Sequence, residues 1–144
     1  MRTSLLAIAL TAALGAAAAP ALAAPAAGKT KICGQVEHGP KAAYAFPLTH
    51  KTLSGTTWTV FSTGVPCSVA TKTTPAILRW WAKAKVGAYD FEANGLSCNK
   101  EDDGHGKSGT IGCSYAKGPP LANIELIMTG SNSVAQLKQM FFIS

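Results

Sequence analysis

Acidic residues are scarce in this chain, 7 Asp and Glu against 13 Lys and Arg, and charged side chains make up only 14% of its 144 residues. No Cys-x-x-Cys pair occurs among the 4 cysteines, which argues against a zinc knuckle and against a thioredoxin-like redox site. No charge falls between Arg2 and Lys29, and beyond that stretch no apolar window reaches membrane-spanning length. Internal repeats and long low-complexity segments are lacking as well, which excludes a repeat architecture.

What is present begins with a leader. Arg2, the Leu- and Ala-rich stretch from Leu5 to Ala19 and the segment Pro20-Ala21-Leu22-Ala23 have the basic head, apolar centre and Ala-x-Ala site of a secretory signal peptide, expected over residues 1–23. A retained membrane anchor is the rival reading, but Ala is a weak membrane former and Pro20 and Pro25 interrupt the stretch. Cys33 follows Lys29 and Lys31 instead of adjoining the apolar run, which speaks against a lipid anchor. Residues 24–30 then read as a flexible leader and 31–144 as one domain, large enough to bury a core without a partner and expected to be monomeric. The expected location is extracellular or wall-associated.

The formal charge of +6 favours anionic surfaces such as wall polymers, phospholipid headgroups or nucleic acid. Most lysines are scattered, however. Arg79, Lys83 and Lys85 cluster at helical spacing, a pattern that also describes an ordinary solvated helix face. Cys33, Cys67, Cys98 and Cys113 form an even set that reads as two structural disulfides in an oxidising compartment. Three pairings are open. A hairpin centred near His105 and Gly106 favours Cys98 with Cys113, leaving Cys33 with Cys67.

Strand candidates are Lys31–Val36, Thr56–Thr63 with Trp58 and Val60 on one face, Leu96–Lys100, Thr110–Tyr115, and a last strand in which Ile124, Leu126 and Met128 alternate with Glu125, Ile127 and Thr129. The segment through Pro40 and Pro47 reads as loop. Thr74 as N-cap and Pro75 in the first turn open a helix over Ala76–Lys85, with Ile77, Leu78 and Trp81 inward and Gly87 as its stop. Residues Cys67–Thr73 are an optional earlier turn broken at Pro75. Ser133 and Gln136 fit a capping box for a C-terminal helix that buries Val134, Leu137, Met140 and Phe141. The fold class expected is α+β, a small antiparallel sheet with both helices packed on one face and two disulfides.

Trp58-x-Val60, Gly64-Val65-Pro66-Cys67-x-x-Ala70, Leu96-Ser97-Cys98 and Gly112-Cys113 together resemble a group of small exported actinobacterial proteins, over about the central half of the chain. The resemblance implies an exported, disulfide-containing α+β domain. It carries over no catalytic residues.

Motifs for chemistry fall short. Gly112-Cys113-Ser114-Tyr115-Ala116 has Ala116 where a nucleophile elbow needs glycine, and Gly106-Lys107-Ser108 has Glu101 where a P-loop has its first glycine. Glu101, Asp102, Asp103 and His105 offer metal donors, but their spacing fails the EF-hand pattern and a solvated loop accounts for them. No metal and no cofactor is expected. A secreted hydrolase, such as a small ribonuclease, would use Glu37 with His38, His50 or His105 and Arg79, which requires a bend at Gly39-Pro40 because neighbours on an extended chain point apart. A protease inhibitor would present Cys67–Thr71 or Gly118–Ala122 as a rigid extended loop. The reading that absorbs most residues is a non-enzymatic binding domain at the cell exterior, its partner a wall polymer or an extracellular protein. Trp80, about 100° round the helix from Trp81, would stand at the edge of the buried stripe beside Arg79 and Lys83.

Overall fold

The computed structural model of the chain describes residues 28–46, 51–100 and 108–144. Residues 1–23, expected as a signal peptide, His50, and the acidic run from Glu101 to His105 lie outside the described residues. In chain order the elements are β1 (Thr30–Val36), β2 (Ala42–Phe46), β3 (Lys51–Gly55), β4 (Trp58–Thr63), α1 (Cys67–Lys83), β5 (Phe91–Ala93), β6 (Leu96–Asn99), β7 (Thr110–Tyr115), β8 (Asn123–Met128) and α2 (Val134–Met140). Six strands form one antiparallel sheet in the order β1-β4-β8-β7-β6-β5, and β2 pairs with β3 in a separate hairpin.

The centre of the sheet is set by β4 and β8, whose Val60 faces Leu126 and whose Trp58 faces Met128. Trp58, Val60, Ile124, Leu126 and Met128 form one continuous core with Ile77, Leu78 and Trp81 of α1. Trp81 meets Trp58 edge to face, centroids 5.1 Å apart at 70°, an arrangement that satisfies both ring quadrupoles. Side chains alternate along a strand, so Thr59 and Phe61 face the other way. Phe61 is buried there against Phe141 at 4.9 Å, and Thr59 shares a 2.7 Å hydrogen bond with Thr129. The C-terminal end of α2 therefore reaches the face opposite α1. This corrects the expectation of two helices on one face: β4 is buried on both sides, and each side needs its own cover.

Three further expectations change. The segment expected as loop between Pro40 and Pro47 contains β2, which pairs with β3 over five residues from Ala42 with Gly55 to Phe46 with Lys51. Its alanines give a weak strand signal in isolation, and the docking of Ala42, Tyr44 and Leu53 on the core makes up the deficit. Thr74 is not an N-cap: α1 starts seven residues earlier behind Pro66, and Pro75 lies inside it. The residue whose carbonyl loses a partner to Pro75 is Thr71, on the exposed side, while the buried hydroxyls of Thr73 and Thr74 donate to the carbonyls of Val69 and Ala70. The helix ends at Lys83, so Lys85 is beyond it, and Gly87 takes a left-handed φ of 80° in the following turn. Finally, β1 begins at Thr30, which pairs with Thr63, one residue before the strand start expected at Lys31.

The disulfides join Cys33 with Cys67 and Cys98 with Cys113. The first ties edge strand β1 to the first residue of α1. The second links directly facing residues of β6 and β7. At the other end of the chain Ser133 and Gln136 make the reciprocal capping box that starts α2, where Leu137 is fully buried but Val134 is 38% exposed. No helix among the described residues is long and apolar enough to cross a membrane.

Candidate functional site

The outer face of α1 carries a line of cations. Lys72, Arg79 and Lys83 are seven and four residues apart, which at 100° per residue places them within an arc of about 40° along roughly 16 Å of helix. All three are exposed, and α1 contains no Asp or Glu. Among the described residues none of the three makes an ion pair.

On one flank of this stripe is an open groove of about 420 Å³, lined by Arg79, Pro75 and Ala82 of α1 and by Val36, His38 and Pro40 from the end of β1. The turn that forms its far wall is pinned. Gly39 donates to the Thr56 carbonyl at 2.8 Å, and the buried Trp58 indole donates to the Pro40 carbonyl at 2.9 Å. Gly39 lies so close to Trp58 that a Cβ there would stand 2.5 Å from the indole Cδ1, so any larger residue would displace the turn. His38 adopts a left-handed φ of 59°, which turns it toward Arg79's groove while Glu37 is exposed and does not line it. The bend that a hydrolytic Glu37 and His38 pair requires is present, and of the two residues His38 lines the groove with Arg79.

Trp80 is on the other flank. Its indole N–H donates to the Asp90 carboxylate at 2.8 Å and its ring meets Phe91 at 5.5 Å, leaving the indole half-buried against the β5 edge. Arg79 and Trp80 thus face different surroundings across the ridge of α1, and they do not line one concavity. Beyond Trp81, Lys100 closes the helix: its ammonium donates to the carbonyls of Trp81 and Ala84 at 2.8 and 2.7 Å and lies 4.5 Å from the Trp81 ring centroid. Cations are favoured at this end of a helix dipole.

Burial pushes the Lys100 ammonium below its ordinary value, and burial, with the Glu125 carboxylate second, pushes the Tyr44 phenol up. Neither group lines the Arg79 groove, so shifted ionisation does not mark that groove as a catalytic centre. Ser114 is a strand residue whose hydroxyl points to the Ser97 carbonyl at 3.4 Å. Of the two inhibitor-loop candidates, Cys67–Thr71 is the first turn of α1 and has no extended backbone to offer. Gly118–Ala122 is a tight β7–β8 turn in which Leu121 is 80% exposed at a left-handed φ of 66°, again not extended. The metal-donor loop from Glu101 to His105 lies outside the described residues.

Lys72 was hidden from the sequence reading by Pro75. With the helix started at Thr74, Lys72 precedes it; with the helix started at Cys67, Lys72 is two turns below Arg79 on the same side. The architecture is an antiparallel α+β domain with a helix on each face of the sheet, and no known protein family, curated protein or solved structure matches the chain.

Proposed function

We propose that this chain is an exported, non-catalytic binding domain that works at the cell exterior, and that the outer face of α1 holds an anionic polymer of the wall. The observation that carries the reading is the unneutralised stripe of Lys72, Arg79 and Lys83 on a helix without acidic residues. Cations aligned on one side of a rigid helix suit a polyanion, because the charges are held in place before the partner arrives. Trp80, whose ring meets Phe91 and whose indole N–H is taken by Asp90 on the other flank, is not needed for this contact. Two disulfides are in keeping with an oxidising setting, and kinship with the exported actinobacterial group belongs to the same proposal.

Pull-down of the purified domain by isolated cell walls, with a salt series, tests this. Arg79→Ala with Lys83→Ala is expected to weaken retention by about tenfold or more, and raised salt to abolish it, as for any contact made by exposed charges. Retention unchanged in the double variant rejects the helix as the binding face. The hydrolase alternative draws on His38 lining a groove with Arg79; release of acid-soluble product from RNA, lost in His38→Ala, is the result that would favour it.

A further inference from the structure

A second groove lies at the N-terminal half of α1, bounded by three separate elements. Ser68, Val69 and Lys72 of α1 form one wall, Asn94 of the β5–β6 turn the second, and Tyr115 and Lys117 at the end of β7 the third, enclosing about 430 Å³. The turn is held in place. Asn94 and Gly95 both take left-handed φ values, 54° and 81°, as a two-residue hairpin turn demands, and the Asn94 amide donates to Thr73 of α1 at 2.8 Å. The Gly95 carbonyl accepts from the Ala116 N–H at 2.9 Å. A Cβ on Gly95 would come within 3.2 to 3.3 Å of Cγ, Cδ and Cε of Lys117, so the lysine stem lies over the bare glycine. Glu92, the acid of this hairpin, lines the neighbouring groove, which shares Asn94 with this one and includes Gly95, Ser97 and Ala116.

We infer that this groove binds a phosphoryl group between Lys72 and Lys117, and hence that the polymer taken by α1 is a phosphate-bearing one. This rests on the binding reading above. Two lysines from separate elements line this groove together with Ser68 and Tyr115, a donor set that suits a tetrahedral oxyanion approached from several sides. A planar carboxylate is better matched by the flat fork of an arginine, which this groove lacks, whereas lysine serves phosphate as a point charge. Free phosphate, a phosphate monoester and a polymer phosphodiester share this chemistry.

The test is a titration of the intact domain with inorganic phosphate, glycerol 3-phosphate and glucuronate, following the amide signals of Asn94 and Gly95 by NMR. Saturable shifts with both phosphates, weakened by about tenfold in Lys117→Met and in Lys72→Met and absent with glucuronate, are expected, since each variant removes one charge-assisted contact. Both lysines are exposed, and an unchanged melting temperature establishes that the variants are folded. Binding of poly(glycerol phosphate) but not of a polyuronate extends the result to the polymer. Absence of saturable shifts at these amides with phosphate, or equal shifts with glucuronate, overturns the inference. Phosphate binding without retention on walls would instead uphold this groove and reject the wall-polymer reading, so the two failures are distinct.

Discussion

Trp58 serves the core and the candidate site at once. Its ring is fully buried under Trp81, and its indole N–H fixes the turn that places His38 opposite Arg79. Trp58→Ala is expected to cost about 3–5 kcal/mol in chemical denaturation, the range for deleting a large aromatic from a closed core. Trp81 differs, because its indole nitrogen is buried without a partner. Trp81→Phe removes that unpaired donor along with some packing, so its cost is expected to fall well below that of Trp58→Ala in the same measurement. Lys100→Met leaves two carbonyls at the end of α1 without their ammonium, and a loss of about 1–2 kcal/mol is expected. Because burial lowers the proton affinity of Lys100 in the folded state, the unfolded chain binds more protons between the two pKa values. The contribution of this group to stability therefore rises as pH climbs through the window just below 10.5, and stability measured against pH in Lys100→Met is expected to lack that rise.

Among the elements, α1 shows best how local rules and packing diverge. Pro75 is a favourable first-turn residue and an unfavourable interior one, so the local signal placed the start of the helix at Thr74. Burial of Ala70, Thr73 and Thr74 against the sheet, with Cys67 held to Cys33, extends the helix backward through the proline. Pro75→Ala restores a backbone donor for Thr71 and is expected to raise the melting temperature, a gain of about 1 kcal/mol or more given the usual cost of an interior proline. A lowered melting temperature would mean that the helix needs the proline's shape to seat on β4. The capping box of α2 and the strands β1, β7 and β8 were legible because each depends on residues adjacent in sequence. Asn94-Gly95 is a hairpin signal for the β5–β6 turn, although β5 was not among the expected strands, whereas the β2–β3 hairpin has no such signal: Gly109 gives room for the close approach of Ala43, and Met128 lies against Gly55.

For the molecule as a whole, the two disulfides act at different ranges. Cys33–Cys67 closes a separation of 34 residues and joins the sheet edge to the helix, while Cys98–Cys113 closes a separation of 15 between two strands that already pair. Replacing either pair by serines is expected to cost about 2–4 kcal/mol, with the larger loss for Cys33 and Cys67 because the longer loop restricts the unfolded chain more. Equal denaturation midpoints for the two double variants would contradict that ordering. Composition and short-range periodicity were enough for the α+β class, the even cysteine set, the cationic excess and the inward stripe of Ile77, Leu78 and Trp81. Packing was needed to put the helices on opposite faces, to align Lys72 with Arg79, and to give Arg79 and Trp80 different neighbours. Those are relations between surfaces distant in the chain, and they are fixed by which faces of β4 and β8 must be covered to bury them.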